Sequence, residues 1–215
     1  MEKKKTIKSV RSKGIGGTYI YIKDVPNGLS KQKVLSYLES NVQSWAEDKY
    51  KTKVSVQIRV EEGSIKVYVA IGAIALLELI SEYGSIRTGA DYLVKDSREL
   101  SEHIIEQLKT EDSIPDSAIS RTEKRLGVPG KIQRYFKEID KLNSLDISHN
   151  DRESKITALK QEFLSILELL ENEQDRTAFI HEVPDLCIPN TNEAWPEPIL
   201  GAFTLLSHST DGIEN

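Results

Sequence analysis

The sequence predicts an α+β fold, in which an N-terminal β-α-β-β domain with additional helices is followed by a mainly helical C-terminal module. Three observations carry that expectation. Val54–Ile71 alternates one apolar face through two strands around a Glu62-Gly63-Ser64 turn. Lys31–Tyr50 instead returns its apolar residues at helical spacing. Beyond the polar stretch 109–117, helical stripes recur without any comparable alternation.

The first 13 residues hold Lys3, Lys4, Lys5, Lys8, Arg11 and Lys13 against Glu2 alone, so residues 1–16 read as a basic flexible arm with no apolar signal-peptide core. Gly14-Ile15-Gly16-Gly17 reads as a hinge. It precedes the first credible strand and lacks the lysine-serine or lysine-threonine ending of a phosphate-binding loop. Thr18–Val25, TYIYIKDV, has the β-branched and aromatic content of a strand, which Pro26-Asn27-Gly28 ends. Ser30 is placed to cap the helix 31–50, whose stripe is Val34, Leu35, Leu38, Val42 and Trp45.

In the hairpin, Val54, Val56, Ile58 and Val60 share a side with Ile65, Val67, Val69 and Ile71, while Ser55, Gln57, Arg59 and Lys66 face the other way. Ala73–Tyr83 follows as a helix built on Leu76, Leu77 and Ile80, interrupted at Gly84-Ser85. Two more helices are expected, a short one over Ile86–Val94 and an amphipathic one over Ser97–Leu108, completing an α+β domain at 17–108. Residues 109–117 are polar apart from Ile114 and Pro115 and are expected to be a linker.

The helical module, 118–180, is expected to open with a short helix to Leu126 capped by Asp116 or Ser117. A Gly127-Val128-Pro129-Gly130 turn and a helix carrying Ile132, Tyr135, Phe136, Ile139 and Leu142 come next. Asp151–Asn172 is the clearest long helix, striped by Ile156, Leu159, Phe163, Ile166, Leu167 and Leu170. The tail, 181–215, combines Pro184, Pro189, Pro196 and Pro198 with Trp195, Ile199, Leu200 and Phe203, a composition suited to wrapping over the domain or docking into a partner.

The 215 residues carry a net charge of −5, unevenly spread: 17 basic and 14 acidic side chains in 1–107 against 12 and 20 in 108–215. Cys187 is the single cysteine, which leaves no internal disulfide and suits a reducing, cytoplasmic setting. The longest uncharged run, Val67–Leu77, has 11 residues against the roughly 20 of a spanning helix, so no transmembrane segment is expected.

No catalytic, cofactor-binding or metal-binding set is assigned. His103, His149, His181 and His208 are scattered, and the acidic run with Glu171, Glu173, Asp175, Glu182 and Asp185 reads as solvated surface. Cys187, between Leu186 and Ile188, has no neighbour that would lower its pKa. A phosphate at Gly127–Gly130, beside Lys131, is weighed below a simple turn. Tyr83, Arg87, Asp91, Tyr92, Lys95 and Asp96 form a polar-aromatic cluster that offers a contact surface rather than acid-base roles.

Non-enzymatic function is therefore favoured. The leading expectation is an intracellular adaptor or regulatory subunit in a protein complex, contacting its partner through Phe163, Leu167 and Leu170 and through Trp195, Ile199, Leu200 and Phe203. A homo-oligomer through the long helix is the related form. The alternative is a nucleic-acid-binding module that uses the basic arm with Lys51, Lys53, Arg59 and Lys66, Tyr68 supplying a stacking surface beside Tyr19 and Tyr21.

Overall fold

The structure, a computed structural model, describes residues 13–23, 30–51, 54–61, 65–73, 83–112, 114–144, 148–170 and 172–190. The α+β class is as the sequence predicts. Strand β1 (Lys13–Ile22) leads to helix α1 (Lys31–Tyr50), the hairpin β2 (Ser55–Glu61) and β3 (Ile65–Ala73), and helix α2 (Ile86–Asp112). Strand β4 (Ile119–Arg125) and helices α3 (Gly127–Ser144), α4 (His149–Leu169) and α5 (Glu173–Glu182) complete the order.

The four strands form one antiparallel sheet in the order β2-β3-β1-β4. With α1 between β1 and β2 and α2 between β3 and β4, the connectivity is the split β-α-β arrangement. Helices pack on one sheet face. Val60, Val67, Val69, Ile71, Ile20 and Ile22 point into that layer with 2 % exposure or less, meeting Val34, Leu38 and Val42 of α1 and Leu93, Leu100 and Ile104 of α2.

Several local expectations are corrected. Residues 118–125 form no helix but the fourth strand, paired with β1 from Gly17↔Arg125 to Ile22↔Ile119. The interval 109–117 consequently does not separate the sheet from the C-terminal helices, because α2 runs to Asp112 and the chain then returns to the sheet. The two expected helices across 86–108 are one 27-residue helix. Its polar residues at the expected break are absorbed: Ser97 Oγ donates to the Leu93 carbonyl at 3.0 Å, and Asp96 pairs with Lys49 of α1 at 3.1 Å.

Gly14–Gly17 is strand, not hinge. A Cβ at Gly16 would lie 2.1 Å from Ser97 Oγ and one at Gly17 2.3 Å from the Val69 carbonyl oxygen, so glycine lets α2 and β3 approach β1. Gly127–Gly130 forms the first turn of α3 rather than a turn before it, and Pro129 is tolerated there because first-turn N–H groups have no intrahelical acceptor. Gly127 holds φ +54 with its Cα side against the Gly14 carbonyl, and Val128, Pro129 and Gly130 are buried, which leaves no room for a phosphate at that helix start.

The stripe of α4 is core. Phe163, Leu167 and Leu170 are 0, 0 and 3 % exposed, and Phe163 stacks on Phe179 of α5 within an aromatic cluster that includes Tyr135 and Phe136 of α3. They are not a contact surface on the folded chain. Glu182, at the end of α5, accepts hydrogen bonds from the backbone N–H groups of Ile86 and Arg87 and so caps α2 from 95 residues away. Cys187 is fully buried after α5, and burial raises its thiol pKa, in keeping with an inert side chain.

The arm through residue 12, the expected helix at 74–82, the hairpin turn at 62–64, Lys53, Glu171, His208 and the tail residues Trp195, Ile199, Leu200 and Phe203 lie outside the described residues.

Candidate functional site on the outer sheet face

Strand alternation that buries one side of the sheet sends the other side outward, and on that outer face Tyr19, Tyr21 and Tyr68 lie among the basic residues Arg59, Lys66, Arg121 and Arg125. Register sets the residues in rows across the four strands. One row is Gln57, Ala70, Gly17 and Arg125; the next is Arg59, Tyr68, Tyr19 and Glu123; a third holds Glu61, Lys66, Tyr21 and Arg121. Gln57, Arg59, Ala70, Arg121 and Arg125 are exposed, and Tyr19, Tyr21, Lys66 and Tyr68 are half-buried.

The middle row is an interacting unit. Tyr19 and Tyr68 are directly opposite on the two central strands, with ring centroids 4.8 Å apart and planes at 40°. The Arg59 guanidinium lies 4.5 Å from the Tyr68 ring centre and that of Arg125 lies 5.7 Å from it. Planar cations over an aromatic face are held by the ring quadrupole at about 0.5–1 kcal/mol each when exposed. Two arginines from the two edge strands thus converge on one tyrosine.

Support comes from beneath. Thr18, fully buried on the helix side of β1, accepts from Ser101 Oγ of α2 at 2.8 Å and donates to the Glu123 carbonyl of β4 at 3.3 Å. That relay ties α2, β1 and β4 together behind Tyr19 and keeps Arg125 in register with Gly17. The next row is low at Ala70, whose methyl group is exposed beside Tyr68. The result is a depression of about 540 Å³ bounded by Gln57, Arg59, Tyr68, Ala70 and Arg125. A smaller one of about 120 Å³ continues past Gln57 and Ala70 toward Gly14 and Gly72.

Of the sequence-derived nucleic-acid set, the structure unites Arg59, Lys66 and Tyr68 on this face, with Tyr19 and Tyr21 beside them on the adjacent strand as the sequence predicts. Lys51 stands elsewhere, at the αL C-terminal cap of α1 beside Asp48. Gln57 was legible as outward-facing, but its place in the depression was not. Arg125 and Arg121 were missed because Ile119–Arg125, ISRTEKR, has a single apolar residue and therefore no readable alternation.

In the polar-aromatic cluster of 83–96 most side chains have a partner within the chain, while Arg87, Asp91, Tyr92 and Lys95 stay exposed. Tyr83 stacks on Tyr92 at 4.3 Å, Arg87 pairs with Asp140, Asp91 accepts from Gln133 at 2.7 Å and Asp96 pairs with Lys49. Burial raises the Asp96 carboxyl above its ordinary value while Lys49 opposes the rise. No group of three histidine, cysteine, aspartate or glutamate side chains suited to a metal occurs among the described residues, and no described helix is long and apolar enough to cross a membrane.

No family model, no curated protein and no solved structure matches this chain, so function is argued from the site alone.

Proposed function

We propose that the protein binds single-stranded nucleic acid on the outer face of its sheet. The observation that carries this is the Tyr19–Tyr68 pair on the two central strands, flanked by Arg59 and Arg125 from the two edges. Unpaired bases bind by stacking on aromatic rings and guanidinium planes, while neighbouring cations take the phosphates. A four-stranded sheet that places aromatics on its central strands is one of the recurring platforms for such stacking, an analogy of architecture that adds to the site chemistry without replacing it.

Charge favours a local site. By register Arg59, Lys66, Arg121 and Arg125 stand on this face against Glu61 and Glu123, although the whole chain carries −5. Glu123 is itself paired with Arg121. Lys3, Lys4, Lys5, Lys8 and Arg11 precede β1 in sequence. The adaptor alternative has less support: Phe163, Leu167 and Leu170 are core, and its remaining contacts lie outside the described residues.

Fluorescence anisotropy with labelled 12-nucleotide single strands and the matching duplex tests the proposal. Single strands bind, with affinity falling as salt rises, and Tyr68→Ala weakens binding about 5- to 100-fold, the range of one lost base–aromatic stack. Absence of single-strand binding at low salt, or wild-type affinity in Tyr68→Ala, would overturn it.

A further inference from the structure

We infer that two copies of this chain pair through their β2 edges, antiparallel about a two-fold axis at Ile58, to form one eight-stranded sheet. Three features of β2 support this.

First, β2 is an open side of the sheet: among the described residues it has a partner strand on one side only. Its pairing with β3 runs without interruption from Ser55↔Gly72 to Glu61↔Lys66, whereas both pairings of β1 carry a register shift. The edge is therefore seven regular residues, the kind that templates a further strand. Second, the two edges of the sheet are built differently. On β4, Lys124 stands opposite the inward Thr18 and so places a charge toward the helix side, a device that discourages an incoming strand. The inward positions of β2 are Val56, Ile58 and Val60, with no charge and no proline. Val56 and Ile58 are only half-buried, although Ile71 and Val69 across the pair are each 1 % exposed. A strand added at this edge covers the remainder.

Third, the strand is complementary to itself. Opposite residues of an antiparallel pair share a sheet face, so a two-fold axis falls at one residue of the strand. An axis at Arg59 would set two guanidinium groups against each other, and one at Gln57 would leave Val60 and Glu61 without an opposite residue in the strand. An axis at Ile58 matches all seven residues, Val56 with Val60 and Gln57 with Arg59, and sets no like charges opposite. The assembly then closes: both outer edges of the joined sheet are the charged β4, so pairing stops at two copies. The Tyr19–Tyr68 pairs of the two copies come to lie on one surface. A single strand pair is at the small end of protein interfaces, which makes this a micromolar association.

Sedimentation equilibrium on the full chain without nucleic acid is the test. Wild type is expected at twice the chain mass at high micromolar concentration. Gln57→Arg, at an exposed position, creates two like-charged pairs with Arg59 across the axis and weakens the dimer about 2- to 30-fold. Adding Arg59→Glu to Gln57→Arg restores it. Oxidation reads the register, with the native Cys187 buried out of reach. Ile58→Cys faces its own copy at a Cα separation of about 4.5–5.5 Å and forms an intermolecular disulfide, while Gln57→Cys lies diagonal to its copy at about 7–8 Å and does not. A monomeric wild type, an unchanged dimer in Gln57→Arg, or cross-linking at 57 that equals that at 58 overturns the inference and leaves single-strand binding standing.

Discussion

Replacing Phe163 with alanine probes whether sheet and C-terminal helices form one cooperative unit. Phe163 is fully buried, stacked on Phe179 with centroids 5.6 Å apart and planes at 23°, and Phe179 in turn meets Tyr135 at 5.6 Å and Phe136 at 5.9 Å. Truncation of such a phenylalanine removes its transfer free energy and leaves a cavity, together about 3–5 kcal/mol. With a urea dependence of about 1–3 kcal/mol per molar, the unfolding midpoint falls by roughly 1–5 M. A Trp195→Phe background leaves Trp45 as the only tryptophan, on α1 and stacked on His103 at 5.9 Å. In that background Trp45 fluorescence and helical circular dichroism are expected to move together to the lower midpoint, because one contiguous core runs from the sheet to Cys187. A Trp45 transition that stays at its original midpoint while the circular dichroism gains an early phase would refute this and restore two independent units. A loss under about 1 kcal/mol would refute the burial of Phe163 itself.

Salt dependence provides a second check: Arg125→Gln is expected to lower the slope of log affinity against log salt by about one phosphate contact, and an unchanged slope would exclude Arg125 from the backbone contacts. Two glycines separate backbone strain from collision. Gly84 holds φ +80 with nothing near its Cβ position, and Gly127 holds φ +54 with the Gly14 carbonyl oxygen 2.0 Å from that position. Gly84→Ala should therefore cost about 1 kcal/mol in urea unfolding and Gly127→Ala clearly more; equal costs would mean the α3–β1 contact yields freely. Burial raises the Asp96 carboxyl above 3.8 in the folded protein, so ionising it costs stability as pH climbs through and beyond that value. Asp96→Asn removes this loss, and its stability relative to wild type is expected to rise from below pH 4 toward pH 6; a constant difference across that range would show that Asp96 does not titrate abnormally.

Legibility followed burial. The hairpin and β1 could be read because one side of each faces the helices, which forces a two-residue alternation, and α1 because its buried stripe recurs every three or four residues. Strand β4 escaped because it is an edge strand whose charged residues keep most of both sides in water, a pattern that protects the edge and erases the signal. The break expected within α2 failed for a different cause: Asp96 and Ser97 look like a helix start, yet Asp96 Oδ1 pairs with Lys49 and Ser97 Oγ donates to the Leu93 carbonyl inside a continuous helix. In the site, the sequence suggested Arg59, Lys66 and Tyr68, since alternation alone fixes their side of the hairpin. The sequence also sets Tyr19 beside Tyr68, but bringing Arg125 there required the strand order, which depends on contacts between residues about a hundred positions apart.

That same separation has a consequence during synthesis. Strand β1 is made well before its second neighbour, β4, which cannot dock until residue 125 has emerged, so the TYIYI edge of β1 waits unpaired while the hairpin and α2 are built. The nascent chain passes through a stage in which a β-branched, aromatic strand edge is open to any other extended chain. The small, charged β4 is thus the piece that closes this edge to self-association. A fragment ending at Asp112 should emerge as an aggregating three-stranded sheet rather than as an independent domain.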